Sequence, residues 1–171
     1  MSVREFYKSR WIDAMPIKPS AAVTINAPLA AAFETAAGID ARALIQKHGA
    51  LPGIIHVDGQ DAPWSAVGQK RRHTLSDKSC VEEELVVFVK DEYFAYRVHN
   101  FTGAFGPLVR EAKGEWRFTA VDPRRTRIDW TYSFEPRELI AKPVLWFIVK
   151  CLWPGYLKAA LARVKEKAEQ N

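Results

Sequence analysis

From about residue 70 to residue 136 hydrophobic and polar side chains alternate with a period of two. Phe94, Tyr96, Val98 and Asn100 alternate with Arg97 and His99. Ala112, Gly114, Trp116, Phe118 and Ala120 alternate with Lys113, Glu115, Arg117 and Thr119, and Ile128, Trp130, Tyr132 and Phe134 alternate with Arg127, Asp129, Thr131 and Ser133. Successive strand residues point to opposite faces, so this pattern predicts an antiparallel meander with one apolar, aromatic face and one charged face. Turn residues fall between the runs at Ser76-Asp77-Lys78, Lys90-Asp91-Glu92 and Asp122-Pro123-Arg124.

Turn lengths fix the expected registers. A two-residue loop at Asp91-Glu92 places Val89, Val87, Leu85 and Glu83 opposite Phe94, Tyr96, Val98 and Asn100. A three-residue loop at Asp122-Pro123-Arg124 places Trp116 opposite Trp130, Gly114 opposite Tyr132, and Arg117 opposite Asp129 as a charge pair on the outer face. A turn at Ser76-Asp77-Lys78 sets Arg71 opposite Glu83, whereas a four-residue turn would set Glu84 there.

Helical periodicity flanks the strands. Ser2-Val3-Arg4-Glu5 has capping-box spacing before Phe6, Tyr7, Trp11, Ile12 and Met15, which predicts a helix within an N-terminal extension over residues 1–19. Residues 20–171 then read as one domain. Val23 and Ile25 share a face of a short strand. Pro28 opens a helix striped by Leu29, Phe33 and Ala36 and stopped at Gly38, and Asp40 caps a second short helix. At the C-terminus Leu157, Leu161, Val164 and Ala168 stripe a long helix, and Pro154 predicts a kink or break upstream of that stripe. The fold class is therefore α+β, with a curved sheet of about seven strands, two short helices after the first strand and a long helix at the end.

Composition narrows the class. A chain of 171 residues with 48% hydrophobic and 26% charged residues is long enough to bury a full core and is neither disordered nor collagen-like. Its two cysteines, Cys80 and Cys151, are too far apart for a zinc ribbon and fit a reducing compartment, so the expected location is cytoplasmic. No apolar run resembling a secretory signal opens the chain, and the stretch from Pro143 to Leu157 is shorter than a membrane span. A net charge of +5 permits an acidic partner without demanding one. Lys70-Arg71-Arg72 and Arg124-Arg125-x-Arg127 are short, interleaved with carboxylates and without a stacking platform, so nucleic acid is not an expected partner.

The candidate chemistry lies on the aromatic face. Phe94, Tyr96, Val98, Asn100, Trp116, Phe118, Trp130 and Tyr132, with Leu145, Ile148 and Leu152 from the C-terminal apolar stretch, either line a pocket for a flat or long apolar ligand or interlock as a solid core. Arg71 and Glu83 with Asn100 form a polar floor, read first as a structural ion pair and second as a ligand anchor. His73 shares the face of Arg71; the plain reading of such a strand histidine is partial exposure, the functional one a general acid or base. The candidates for proton transfer are thus Arg71, Glu83, His73 and Tyr96. No metal site is expected, because no histidine pair has ligand spacing with a carboxylate, and no cofactor motif is present. No nucleophile elbow occurs, and neither cysteine has a histidine nearby in sequence.

Ala27-Pro28 with Phe33 resembles the A-P-x-x-x-x-F start of the SRPBCC superfamily, which includes START-type lipid binders, birch-pollen-allergen relatives and polyketide cyclase/dehydrases. Gly68-x-x-Arg71, Glu83-x-Leu85, Tyr96-x-Val98, Glu115-Trp116 and Thr126-x-x-x-Trp130 continue the resemblance in order over residues 20 to 169, nearest to the polyketide cyclase/dehydrase branch. The resemblance implies a helix-grip fold and a deep apolar cavity between the sheet and the C-terminal helix, used for lipids, sterols, polyketides or hormones. The loop from Asp58 to Gly68 lacks the G-x-G-x-x-G of the plant allergens, and Pro154-Gly155 interrupts the grip helix.

Three functions follow as expectations. The first is binding of a hydrophobic small molecule, lipid-like, polyketide or aromatic. The second is a cyclase/dehydrase-type enzyme acting on such a ligand by acid/base catalysis. The third is a module that touches a membrane surface or a protein partner transiently through Trp146, Phe147, Trp153 and Tyr156.

Overall fold

The computed structural model describes residues 17–59 and 62–170, and the helix expected within the N-terminal extension lies outside them. Strand β1 (Ser20–Ile25) is followed by helices α1 (Leu29–Gly38) and α2 (Ala41–Leu44). Six strands follow: β2 (Ile54–Asp58), β3 (Lys70–Leu75), β4 (Cys80–Val89), β5 (Tyr93–His99), β6 (Val109–Asp122) and β7 (Arg125–Pro136). Helices α3 (Lys142–Cys151) and α4 (Trp153–Glu169) end the chain. The seven strands form one antiparallel sheet in the order β1-β7-β6-β5-β4-β3-β2, so the meander is extended by β1 returning beside β7.

The sheet grips α4, whose Leu157, Ala160, Leu161, Val164 and Ala168 are buried on one stripe. Polar contacts hold the helix at both ends. The Tyr156 hydroxyl donates to the Pro52 carbonyl at 2.7 Å, and Glu169 Oε1 accepts from the Asn26 amide at 2.7 Å. Pro154 produces a break rather than a kink. It stands in the first turn of α4, where a missing N–H costs nothing, and α3 is a separate helix inclined 42° to α4.

Two of the expected registers are present. Trp116 pairs with Trp130, Gly114 with Tyr132 and Arg117 with Asp129, while Arg71 pairs with Glu83. The β4–β5 register is different. The loop holds three residues, with Asp91 at φ 60°, so Val89 pairs with Tyr93. A bulge at Val86 then shifts the ladder by one more residue, placing Leu85 opposite Tyr96 and Glu83 opposite Val98 rather than Asn100. Two single-residue shifts restore the phase, so Leu85 and Glu83 still face inward, whereas Val87 and Val89 turn out. Asn100 leaves the inner face altogether: it ends β5 at φ 53°, and its exposed side chain donates to Glu82 Oε2.

Close packing across the inner face depends on one missing side chain. A Cβ on Gly114 would sit 2.3 Å from Tyr96 Cζ, so the Tyr96 ring lies directly over the Gly114 backbone. From there its hydroxyl reaches the two tryptophans of β6 and β7, whose rings stand 4.3 Å apart. On the outer face, Glu115 accepts from the Tyr93 hydroxyl at 2.6 Å and from Lys113 Nζ at 3.0 Å. Burial by itself would raise the Glu115 pKa, but these two donors outweigh it and hold the carboxyl below the usual glutamate value.

Two outcomes follow from this packing. Gly114→Ala should destabilise the fold by about 1–3 kcal/mol through overpacking. Pairing it with Tyr96→Leu should cost less than the sum of the two single changes in a denaturation double-mutant cycle; additive costs would show that the ring and the glycine are not in contact. Because the folded-state pKa of Glu115 is depressed, its contribution is present above the unfolded value of about 4.3 and is lost as pH falls through the lower folded value. Melting of Glu115→Gln should therefore lie below wild type near neutrality and converge with it in acid.

Candidate functional site

Between the sheet and α4 lies a cavity with about 120 Å³ of space for the centres of water-sized molecules. One water needs only roughly 10–15 Å³ on that measure, so the aromatic face does not close into a solid core. Tyr96, Trp116, Trp130, Tyr132, Phe94 and Val98 line it from β5, β6 and β7. The helical wall is made by Trp153, Tyr156 and Leu157 of α4, and Phe101 and Phe105 enter from the β5–β6 connection. Half-buried Leu44, Ile45, Pro52 and Ile54 complete the lining from the α2–β2 side.

Five of the expected lining residues stand elsewhere. Asn100 is displaced by the β4–β5 register. Phe118 is buried against Phe33, ring centroids 4.9 Å apart, in the cluster filling the α1 end of the sheet. Leu145, Ile148 and Leu152 belong to α3 and the joint after it, and the break keeps them off the cavity wall. Trp153 and Tyr156, expected on a docking surface, instead turn inward. Trp153 packs edge-on against Phe134 at 4.8 Å and Tyr132 at 5.5 Å. The contributions of Leu51, Trp64 and Phe105 escape sequence reasoning because they come from loops without a period.

All four proton-transfer candidates line the cavity. His73 is 3% exposed and Arg71 5% exposed, which overturns the partly exposed reading of the histidine. Alternation along β3 places both inward, and Glu83 meets them from β4. The expected Arg71–Glu83 ion pair is replaced by a different arrangement. Glu83 Oε2 lies 3.1 Å from His73 Nε2, while the Arg71 guanidinium stacks 3.6 Å from the centre of the Trp64 ring and donates to the Ala62 carbonyl. Burial pulls the Arg71 pKa down, with the Glu83 charge opposing the shift. Stacking on an indole compensates part of the lost hydration of a buried guanidinium.

In the tautomer that donates from Nε2 to the carboxylate, the His73 lone pair is on Nδ1. That atom is buried and has no hydrogen-bond partner, as is Nε1 of Trp153. Both residues line the cavity, so its wall holds two polar nitrogens without a partner.

Tyr96 is committed differently. Its hydroxyl oxygen receives Trp116 Nε1 at 3.4 Å and Trp130 Nε1 at 3.1 Å, and its proton goes to the Tyr132 hydroxyl at 3.3 Å. A phenol has one donor and two acceptor positions, and all three are used. Burial, reinforced by the Glu83 charge, raises the Tyr96 pKa, and burial raises that of Tyr132 as well, so both stay protonated near neutrality. The proton left free by this chain is that of Tyr132. Among the described residues no three His, Cys, Asp or Glu side chains gather in a metal-binding cluster.

The family described as polyketide cyclase / dehydrase and lipid transport matches residues 16–169. The chain has no match among curated protein sequences. Solved structures share the fold at low identity. The Zhui aromatase/cyclase from Streptomyces sp. R1128 is 20% identical, with a TM-score of 0.59 over 88% of this chain and 94% of that one. Hypothetical protein jhp0584 from Helicobacter pylori is 20% identical, with a TM-score of 0.67 over 94% and 93%. A protein from Thermus thermophilus, TTHA0849, is 16% identical, with a TM-score of 0.61 over 88% and 96%. The helix-grip sheet, its cavity and a family match running over nearly the whole chain agree: this chain belongs to the polyketide cyclase/dehydrase and lipid transport family.

Proposed function

We propose that the protein encloses a hydrophobic small molecule, lipid-like, polyketide or aromatic, that carries acceptor oxygens. The observation behind this reading is an aromatic-walled cavity whose free polar groups include two donors, the Tyr132 hydroxyl and Trp153 Nε1. The flat rings of Trp116, Trp130 and Phe94 supply apolar contact, and a ligand carbonyl accepts from Tyr132 or from the Arg71 guanidinium.

One observation favours chemistry as a second reading: His73 is buried, bonded through one nitrogen to Glu83 and unpartnered at the other. An imidazole held by a carboxylate is oriented as a base, and the carboxylate stabilises the imidazolium formed. In an aldol cyclisation Nδ1 would take a proton from a methylene flanked by carbonyls. The resulting carbanion carbon bonds to a second carbonyl carbon of the same chain, whose oxygen becomes an alkoxide beside Arg71 or Tyr132 and is then protonated. Loss of that hydroxyl with a neighbouring hydrogen, as water, leaves the ring unsaturated.

Displacement of an apolar fluorophore such as anilinonaphthalene sulfonate by aromatic ketones and fatty acids tests the binding reading. Tyr132→Phe should weaken ketone binding about three- to tenfold, the worth of one hydrogen bond, and, because it leaves the buried Tyr96 proton without its acceptor, should lower the melting temperature while the chain stays folded. Failure of every apolar probe to bind would sink both readings. Turnover of a poly-β-ketone analogue separates them: a loss of about 100-fold or more in Glu83→Gln and His73→Phe, with ligand still bound, marks an enzyme, whereas binding without turnover in wild type marks a carrier.

A further inference from the structure

After β7 the chain carries apolar side chains in both directions. Helix α3 buries Leu145 and Val149 against the core, but its opposite arc also presents Val144, Trp146 and Phe147. A helix with one face on a core ordinarily shows a polar face to water. Here the helix's only charged residues are Lys142 and Lys150. The short turn before it, Leu139–Ala141, holds Leu139 and Ile140 at 84% and 88% exposure, with Trp146 and Phe147 at 51% and 60%. Leu139, Ile140, Val144, Trp146 and Phe147 are five of the nine large hydrophobic residues exposed among the described residues, gathered in nine consecutive positions. Scattered exposed apolar residues need no explanation, whereas a contiguous set marks a surface that something covers.

We propose that this face docks on the surface of an anionic lipid bilayer, with the Leu139–Phe147 ridge in the acyl boundary and Lys142 and Lys150 at the headgroup phosphates. Charge complementarity identifies the occupant. From Arg137 to Leu152 there are three basic residues and a single acid, Glu138, whereas on the outer sheet face charges are matched in pairs such as Arg97–Glu84 and Arg127–Asp129. Side chains as exposed as Leu139 and Ile140 protrude and offer a protein partner no pocket, but they enter a fluid apolar phase without shape complementarity. Lysine stems cover apolar surface while their heads stay in the polar layer, and tryptophan favours the same boundary. The helix lies in the interface rather than across it: α3 has ten residues, no single helix among the described residues is long and apolar enough to cross a membrane, and α4, which would have to complete a bent span with α3, has its apolar stripe buried against the sheet.

Co-sedimentation of the full chain with vesicles of phosphatidylcholine mixed with phosphatidylserine tests the proposal. Wild type should pellet with the mixed vesicles, much less with phosphatidylcholine alone, and be released by high salt. Leu139→Ser/Ile140→Ser/Trp146→Ser should bind about tenfold or more weakly while melting at the wild-type temperature. Should that variant misfold, Lys142→Glu/Lys150→Glu should abolish the preference for phosphatidylserine by itself. Wild type left in the supernatant with the mixed vesicles would overturn the proposal, as would undiminished binding by a folded triple variant or by the charge-reversed variant. A wild-type dimer in sedimentation equilibrium that the triple variant splits, with no vesicle binding, would also overturn it and assign the face to a second copy of the chain.

Discussion

The inner architecture depends on a buried phenol laid over a glycine. Trp116 and Trp130 are wholly inside the protein, and each indole N–H must find an acceptor there or forfeit its hydration without return. The Tyr96 oxygen serves both, and it reaches them only because Gly114 leaves the intervening backbone bare. Any side chain at Gly114 would lift the ring, strand two donors and fill the space beside Tyr132. One absent Cβ therefore sets the aromatic packing and the direction of the free hydroxyl proton together.

Much of this is legible in the sequence, and particular residues show why. Strand alternation is local, so Gly114, Trp116, Trp130 and Tyr132 are placed on one face by counting, and the β6–β7 turn carries a proline and charges that mark its position. The structure closes that turn with Asp122 paired to Arg125 and a bulge at Val121, which leaves the downstream register as a three-residue loop would. The β4–β5 hairpin defeats the same counting. Val86, Val87, Phe88 and Val89 form an unbroken apolar run that fits either face, and no local signal reveals a bulge there. Counting misplaces Asn100 for this reason, and because its φ of 53° ends the strand where the pattern continues.

The site is less legible than the fold, since it is built where elements without periodicity meet. Trp64 lies in a loop, yet it is the surface on which the Arg71 guanidinium rests. The C-terminal apolar stretch reads as one continuous roof, but Pro154 divides it between two helices with different duties. Helix α4 faces the cavity through Tyr156 and Leu157, and α3 turns Trp146 and Phe147 away from it. Periodicity reports that a helix has an apolar stripe; it does not report which of two apolar arcs meets the core.

The polar end of the cavity is arranged as a balance of charge. Arg71, His73 and Glu83 occupy neighbouring inward positions on β3 and β4, where an isolated ion would be costly. A guanidinium and a carboxylate brought into this apolar wall would ordinarily bond to each other. Instead the imidazole takes the carboxylate and an indole face takes the guanidinium, so the two groups are held by separate partners rather than by each other. The arrangement keeps a cation and an unpartnered ring nitrogen at the surface of a cavity that a direct Arg71–Glu83 pair would have closed off. A purely structural ion pair would gain most from direct contact, so its absence here is consistent with the proposed reading of the polar end as a place for a ligand.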